Sequence, residues 1–92
     1  MTATRTVTIA DPLGLHARPA AEFVSAARGY QSDLVIRVGD ATANCKSLLS
    51  VLKLGIAHGT VVVVEADGED EDSAVEDLAA RLENEVQDAA SS

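Results

Sequence analysis

Tryptophan is missing from this chain of 92 residues, and phenylalanine and tyrosine occur once each, so alanine, valine and leucine must fill the interior. Such a core is aliphatic and finely packed. The single cysteine, Cys45, rules out an internal disulfide and gives no zinc-type ligand set. No apolar run approaches the roughly 20 residues of a membrane span. The longest candidate, around Thr60 to Val64, is interrupted by Gly59 and Glu65. The N-terminal stretch MTATRTVTIA lacks the basic-then-apolar layout of a signal peptide, and a cytoplasmic location is the expectation. Bases are scarce as well: 7 Lys and Arg against 15 Asp and Glu leave a net charge of −8. With no basic stripe, nucleic acid and anionic lipid are excluded as partners, because phosphate backbones require clustered Lys and Arg.

What is present fits one domain over residues 1–92, large enough for a modest core but too small to enclose a deep substrate cavity. Chemistry would sit on its surface. Charge is unevenly placed. Residues 1–64 hold four acids and six bases, and residues 65–92 hold eleven acids and Arg81 as their one base. An acidic C-terminal part suits either a salt-rich cytosol or a plainly solvated helix.

Arg5 to Ile9 alternates at Val7 and Ile9 and reads as a strand that Asp11-Pro12-Leu13-Gly14 breaks. From Ala17 to Arg28 the apolar positions Ala20, Phe23, Val24 and Ala27 fall at helical spacing, with Gly29 placed to stop the helix. Leu34 to Val38 and Ala41 to Cys45 flank the two-residue turn Gly39-Asp40 and pair as a hairpin. Ser47 to Leu54, with a capping residue in front and Gly55 behind, is a short helix, and Thr60 to Ala66 is a β-branched central strand. The last segment has Asp70 or Asp72 as cap and Val75, Leu78, Ala79, Leu82 and Val86 along one face of a helix. The order β-α-β-β-α-β-α predicts an α+β fold: a two-layer open-faced sandwich with a four-stranded antiparallel sheet and three helices on one face.

His16 falls where a glycine-bearing loop meets the start of the first helix. An imidazole there lies beside free backbone N–H groups at the positive end of the helix dipole, which is an anion site. Pro19 fits the first turn, where its missing N–H costs no helical bond. Ala17 and Arg18 keep their donors, and the planar Arg18 guanidinium matches phosphate oxygens. Type and position alone are equally consistent with a plain exposed histidine at a helix start. The wider motif decides: Gly14-Leu15-His16-Ala17-Arg18-Pro19-Ala20 resembles the G-[LI]-H-A-R-P-A signature of the HPr family, phosphocarriers of the phosphoenolpyruvate-dependent sugar phosphotransferase system. The spacing to Lys46-Ser47-Leu48 and Leu54-Gly55-Ile56, and the acidic start of the last helix, are similar to that family too, so the resemblance covers nearly the whole chain.

The resemblance implies a carrier rather than an enzyme, without cofactor or metal. In that family enzyme I, charged by phosphoenolpyruvate, phosphorylates the histidine on Nδ1, and the group passes to a IIA domain of a sugar transporter. Related carriers also serve a dihydroxyacetone kinase complex, and that acceptor stays open. His16 would be the nucleophile, Arg18 the stabiliser of the phosphoryl oxygens, and Ala17 a backbone donor. A monomer is expected by family analogy.

On a helical wheel Leu48, Leu49, Val51, Leu52 and Leu54 cover roughly 220°, about twice a core-facing stripe. Val51 and Leu54 are therefore expected in the core, with Leu48, Leu49 and Leu52 as an exposed patch for docking or self-association. The resemblance assigns partner contacts to Ala20, Leu48, Leu49 and Leu52, and Arg18, Lys46 and Lys53 could rim that patch. Ser47 is first an N-cap. In some relatives the aligned serine is the target of an ATP-dependent serine kinase, but Cys45, Ser50 and Lys53 depart from the surroundings common in regulated relatives. His58, with no second ligand at metal spacing, is an ordinary loop histidine, and Glu69 to Asp72 lack the spacing of a calcium loop. A small hydrolase built on His16 would need a partner acid and a pocket, and neither is visible. A purely regulatory relative would not need His16 and Arg18 together.

Overall fold

The structure, a computed structural model, describes residues 2–15 and 17–83. His16 and the Val86 position of the last helix lie outside the described residues. The elements run β1 (Ala3–Thr8), α1 (Ala17–Arg28), β2 (Asp33–Val38), β3 (Ala41–Asn44), α2 (Leu48–Lys53), β4 (Val61–Asp67) and α3 (Glu71–Glu83). The strands form one antiparallel sheet in the order β1-β4-β2-β3. This is the expected α+β sandwich.

Alternation sorts each strand's side chains between two faces. Val7 of β1, Leu34 and Ile36 of β2, Ala43 of β3 and Val62, Val64 and Ala66 of β4 are buried on one face. There they join Ala20, Phe23, Val24 and Ala27 of α1, Val51 of α2, and Ala74, Val75, Leu78, Ala79 and Leu82 of α3 in one core. The other face carries Thr4, Thr6, Thr42 and the Arg37–Glu65 ion pair. Cys45 continues this core past the end of β3. Burial pushes its thiol up to about 12, which leaves it an inert hydrophobe.

Asp70 stands where the N-cap of α3 belongs, and its carbonyl accepts from the Ala74 N–H at 2.9 Å. Its carboxylate turns away from the helix and clamps the α1–β2 connection. It accepts from the Gln31 N–H at 2.8 Å, the Ser32 N–H at 3.0 Å and the Ser32 hydroxyl. Glu71, the first residue of α3, closes the turn before the helix: its carboxylate accepts from the Gly68 N–H at 3.1 Å and its own N–H donates to Gly68 O at 3.3 Å. Ser32 is buried, so Asp70 supplies the partner that its hydroxyl would otherwise lack.

The Ser32 hydroxyl first, then the Gln31 N–H, hold the Asp70 carboxyl below the usual aspartate range. A group with a lowered folded pKa contributes stability that is complete above its unfolded value, about 3.9, and is lost as pH falls through the folded value. The urea midpoint is therefore expected to fall from about pH 4 downward. Asp70→Asn should be less stable at neutral pH and show a shallower acid slope. Equal slopes in parallel urea titrations would show that other carboxylates govern the acid transition.

Candidate functional site

The approach to α1 is fixed from both sides. At the end of β1, Ile9 exchanges backbone bonds with the start of β4: its N–H donates to Thr60 O at 2.9 Å, and its carbonyl accepts from the Gly59 N–H at 3.0 Å. Asp11-Pro12-Leu13-Gly14 then closes a turn. The Gly14 N–H donates to Asp11 O at 2.9 Å and the Leu13 N–H donates to the Asp11 carboxylate at 2.9 Å. Asp at the first place, Pro at the second and Gly at the fourth are what such a turn favours. Gly14 adopts φ +77° and sits so close to the next segment that a Cβ would fall 2.4 Å from Ile56 O. Leu15 follows with its N–H donating to Ile56 O at 2.9 Å and its side chain in the core. The chain is thus anchored at Leu15, and α1 begins at Ala17.

Helix geometry leaves the Ala17 and Arg18 amides with no acceptor inside α1, and Pro19, the third helical residue, has no N–H to leave unpaired. Arg18 is 87% exposed, and its contact with Glu22 spans 3.8 Å. A solvated pair of that kind contributes little, so the guanidinium can turn to an anion at the helix start at small cost. Ala20 corrects an expectation. It is 0% exposed, because the helical spacing that puts Phe23, Val24 and Ala27 in the core puts Ala20 there too, and its side chain has no surface to offer a partner.

α2 packs beside α1. Ser47 caps it, with backbone torsions φ −115° and ψ 109°, accepting from the Ser50 N–H at 3.3 Å and donating to the Ser50 hydroxyl at 3.0 Å. Val51 is buried, while Leu49 is 67% and Leu52 36% exposed. Leu48 and Leu54 are both half-buried against the core. Leu48 is thus less exposed, and Leu54 less buried, than the wheel predicts. A helix of only six residues is too short to lay one full stripe on its neighbours.

Lys46 does not act as a free rim charge. Its Nζ donates to Tyr30 O at 2.8 Å, and Arg28 Nε donates to Lys46 O at 2.9 Å. The two bonds stitch the end of α1 to the turn before α2. Arg28 escaped sequence reasoning because its partner is a backbone carbonyl 18 residues away. Lys53 remains exposed beside Leu49 and Leu52 in sequence. Tyr30 extends the stitching to α3: its hydroxyl donates to Asp77 at 2.6 Å, and that bond, with burial, raises the phenol pKa. No described helix is long and apolar enough to cross a membrane.

Fold and site together define an open-faced α+β protein with an anion-receptive helix start and exposed leucines on the neighbouring helix. Comparison with known proteins makes this specific. The family model described as the PTS HPr component phosphorylation site matches residues 3–84. Phosphocarrier protein HPr of Haemophilus influenzae is 44% identical over 69 residues, covering 75% of this chain and 81% of that protein. Phosphocarrier protein HPr of Lysinibacillus sphaericus is 42% identical over 79 residues, covering 86% and 90%. The crystal structure of a phosphocarrier protein HPr from Bacillus anthracis superposes with a TM-score of 0.86 at 33% identity, over 89% of this chain and 98% of that one. The chain belongs to the HPr family of phosphocarriers of the phosphotransferase system.

Proposed function

We propose that His16 is the phosphoryl acceptor, taking the group on Nδ1 from phospho-enzyme I and passing it to a IIA domain in the service of sugar uptake. The observation that carries this reading is the start of α1. Ala17 and Arg18 supply unclaimed helix-start amides and a mobile guanidinium directly after His16 in the chain, on a loop tied down at Leu15. In the first transfer the phosphorus–donor bond breaks as a phosphorus–nitrogen bond forms on the neutral imidazole. In the second that bond breaks as the acceptor's nucleophile takes the phosphorus. The helix dipole and Arg18 offset the oxygen charge in both, so positioning and charge do the work and no cofactor takes part.

Leu49 and Leu52, with Arg18 and Lys53 as cations, form the docking surface for enzyme I and IIA domains. Charge of that sign suits acidic partners. Ser47 acts in the first place as the α2 cap. A kinase that phosphorylated it would place new negative charge beside Leu49 and weaken that docking. The carrier works in the cytoplasm as a monomer.

The test is incubation with enzyme I and phosphoenolpyruvate, following intact mass at alkaline and then acidic pH. A phosphoryl adduct that survives base, is lost in acid, persists in Ser47→Ala and is absent from His16→Ala is the expected result. No adduct on the wild type, with active cognate enzyme I, would overturn it. Adding a IIA domain, or a dihydroxyacetone kinase complex, to the phosphorylated carrier identifies the acceptor by which of them removes the group.

A further inference from the structure

Among the described residues Leu13 is the most exposed large apolar side chain, at 76%, and nothing in the fold makes use of it. In the turn Asp11 to Gly14, three residues do the structural work. Asp11 accepts both turn bonds, Pro12 presets the backbone torsion of the second position, and Gly14 takes φ +77° against Ile56 and Ala57. The third position needs only a residue that tolerates water, and a small polar one would serve. An aliphatic side chain there is carried outward on a hydrogen-bonded backbone. Gly14 and Leu15 are buried on one side of it, and its own N–H is bonded to the Asp11 carboxylate.

The turn is tied through the Leu15–Ile56 bond to the segment that leaves α2, two residues after Leu13 on one side of the tie and four after Leu52 on the other. Leu13 is also only three residues before His16 in the chain. Three peptide bonds span at most about 11 Å.

We infer that Leu13 is a specificity-determining contact: it enters an apolar depression, rimmed by carboxylates, on the protein that exchanges phosphoryl groups with His16. The inference rests on the transfer proposed above and adds a residue to its recognition surface. An exposed leucine on a fixed backbone loses little conformational freedom when it is covered, so its burial goes largely into affinity. The carboxylate rim is read from the cations on this side, Arg18 at the helix start and Lys53 at the end of α2.

Steady-state transfer with the carrier as varied substrate tests this, once from enzyme I with phosphoenolpyruvate and once to a IIA domain. Leu13→Asn should raise KM about tenfold in at least one direction, equivalent to about 1.4 kcal/mol of recognition, with kcat within about twofold. Leu13→Met should restore most of the affinity. Val61→Thr, which removes an exposed apolar side chain from the helix-free face of the sheet, should leave both constants unchanged. An unmoved KM in both directions overturns the inference, as does a Leu13-dependent dimer in sedimentation with transfer constants unchanged. If wild-type protein takes no phosphoryl group on His16, the proposed function itself fails. A phosphorylated wild type whose KM ignores Leu13 sinks only this inference.

Discussion

Gly14→Ala is expected to abolish efficient phosphoryl transfer and to cost roughly 2–5 kcal/mol of stability. Two independent effects add at this position. The positive φ of +77° strains any residue with a Cβ. The new methyl would also fall 2.4 Å from Ile56 O and 2.9 Å from Ala57 Cα, both backbone atoms that cannot step aside as a side-chain tip would. Relief requires the loop to lift from the Ile56–Ala57 segment, which breaks the Leu15 N–H bond to Ile56 O. That bond fixes the chain one residue before His16, so the functional loss should exceed the loss of folded protein. Urea unfolding gives the stability change. Transfer rates measured at low temperature, where the variant remains folded, should still be depressed. Wild-type rates in that folded population would show that Gly14 serves stability alone.

Gly68 makes a similar close approach at the opposite junction, where a Cβ would fall 2.7 Å from Ser32 Cα. Together with Asp70 it locks the α1–β2 connection against the start of α3. Neither glycine's role can be read from its neighbours in sequence. Gly14 looks like an ordinary turn breaker and Gly68 like the end of a strand, because the atoms they avoid lie in distant segments.

The same division runs through the whole chain. Local pattern was enough for α1: its bounds, Ala17–Arg28, and its four buried residues are those the helical spacing predicts. The hairpin around Gly39-Asp40 and the Ser47 cap were equally legible, since turn and cap chemistry is written in adjacent residues. The antiparallel sheet followed from element order, but its strand sequence β1-β4-β2-β3 did not, because β1 and β4 pair across most of the chain. Asp70 and Lys46 show the limit most plainly. Each has a sound local role, helix cap or rim charge, and each is drawn away by backbone groups that only the folded chain brings near. Leu48 and Leu54 mark a smaller limit, since a wheel assumes a long regular helix and α2 has only six residues.

Phe23→Ala should destabilise the protein by about 3–5 kcal/mol, the usual range for emptying a fully buried phenylalanine site. A chain of this size has about 5–14 kcal/mol in total, so the variant would stand near the edge of folding at 37 °C. Phe23 is the largest side chain in the core and its only phenylalanine, and the buried core of the described residues holds no methionine to flex into the space. The effect on transfer should nevertheless differ in kind from that of Gly14→Ala. Phe23 lies on the buried face of α1, whereas Arg18 and the first-turn amides stand at the helix start, bounded by Leu15 and its bond to Ile56, which this substitution leaves in place. Activity should therefore follow the folded fraction, falling at 37 °C and returning on cooling. Phe23→Leu, which keeps most of the volume, should retain activity throughout. Transfer assays and circular dichroism on the same samples across temperature check this. If transfer by Phe23→Ala stayed low in cold, folded protein, α1 would have to be positioned by its core face and not by the anchored loop in front of it.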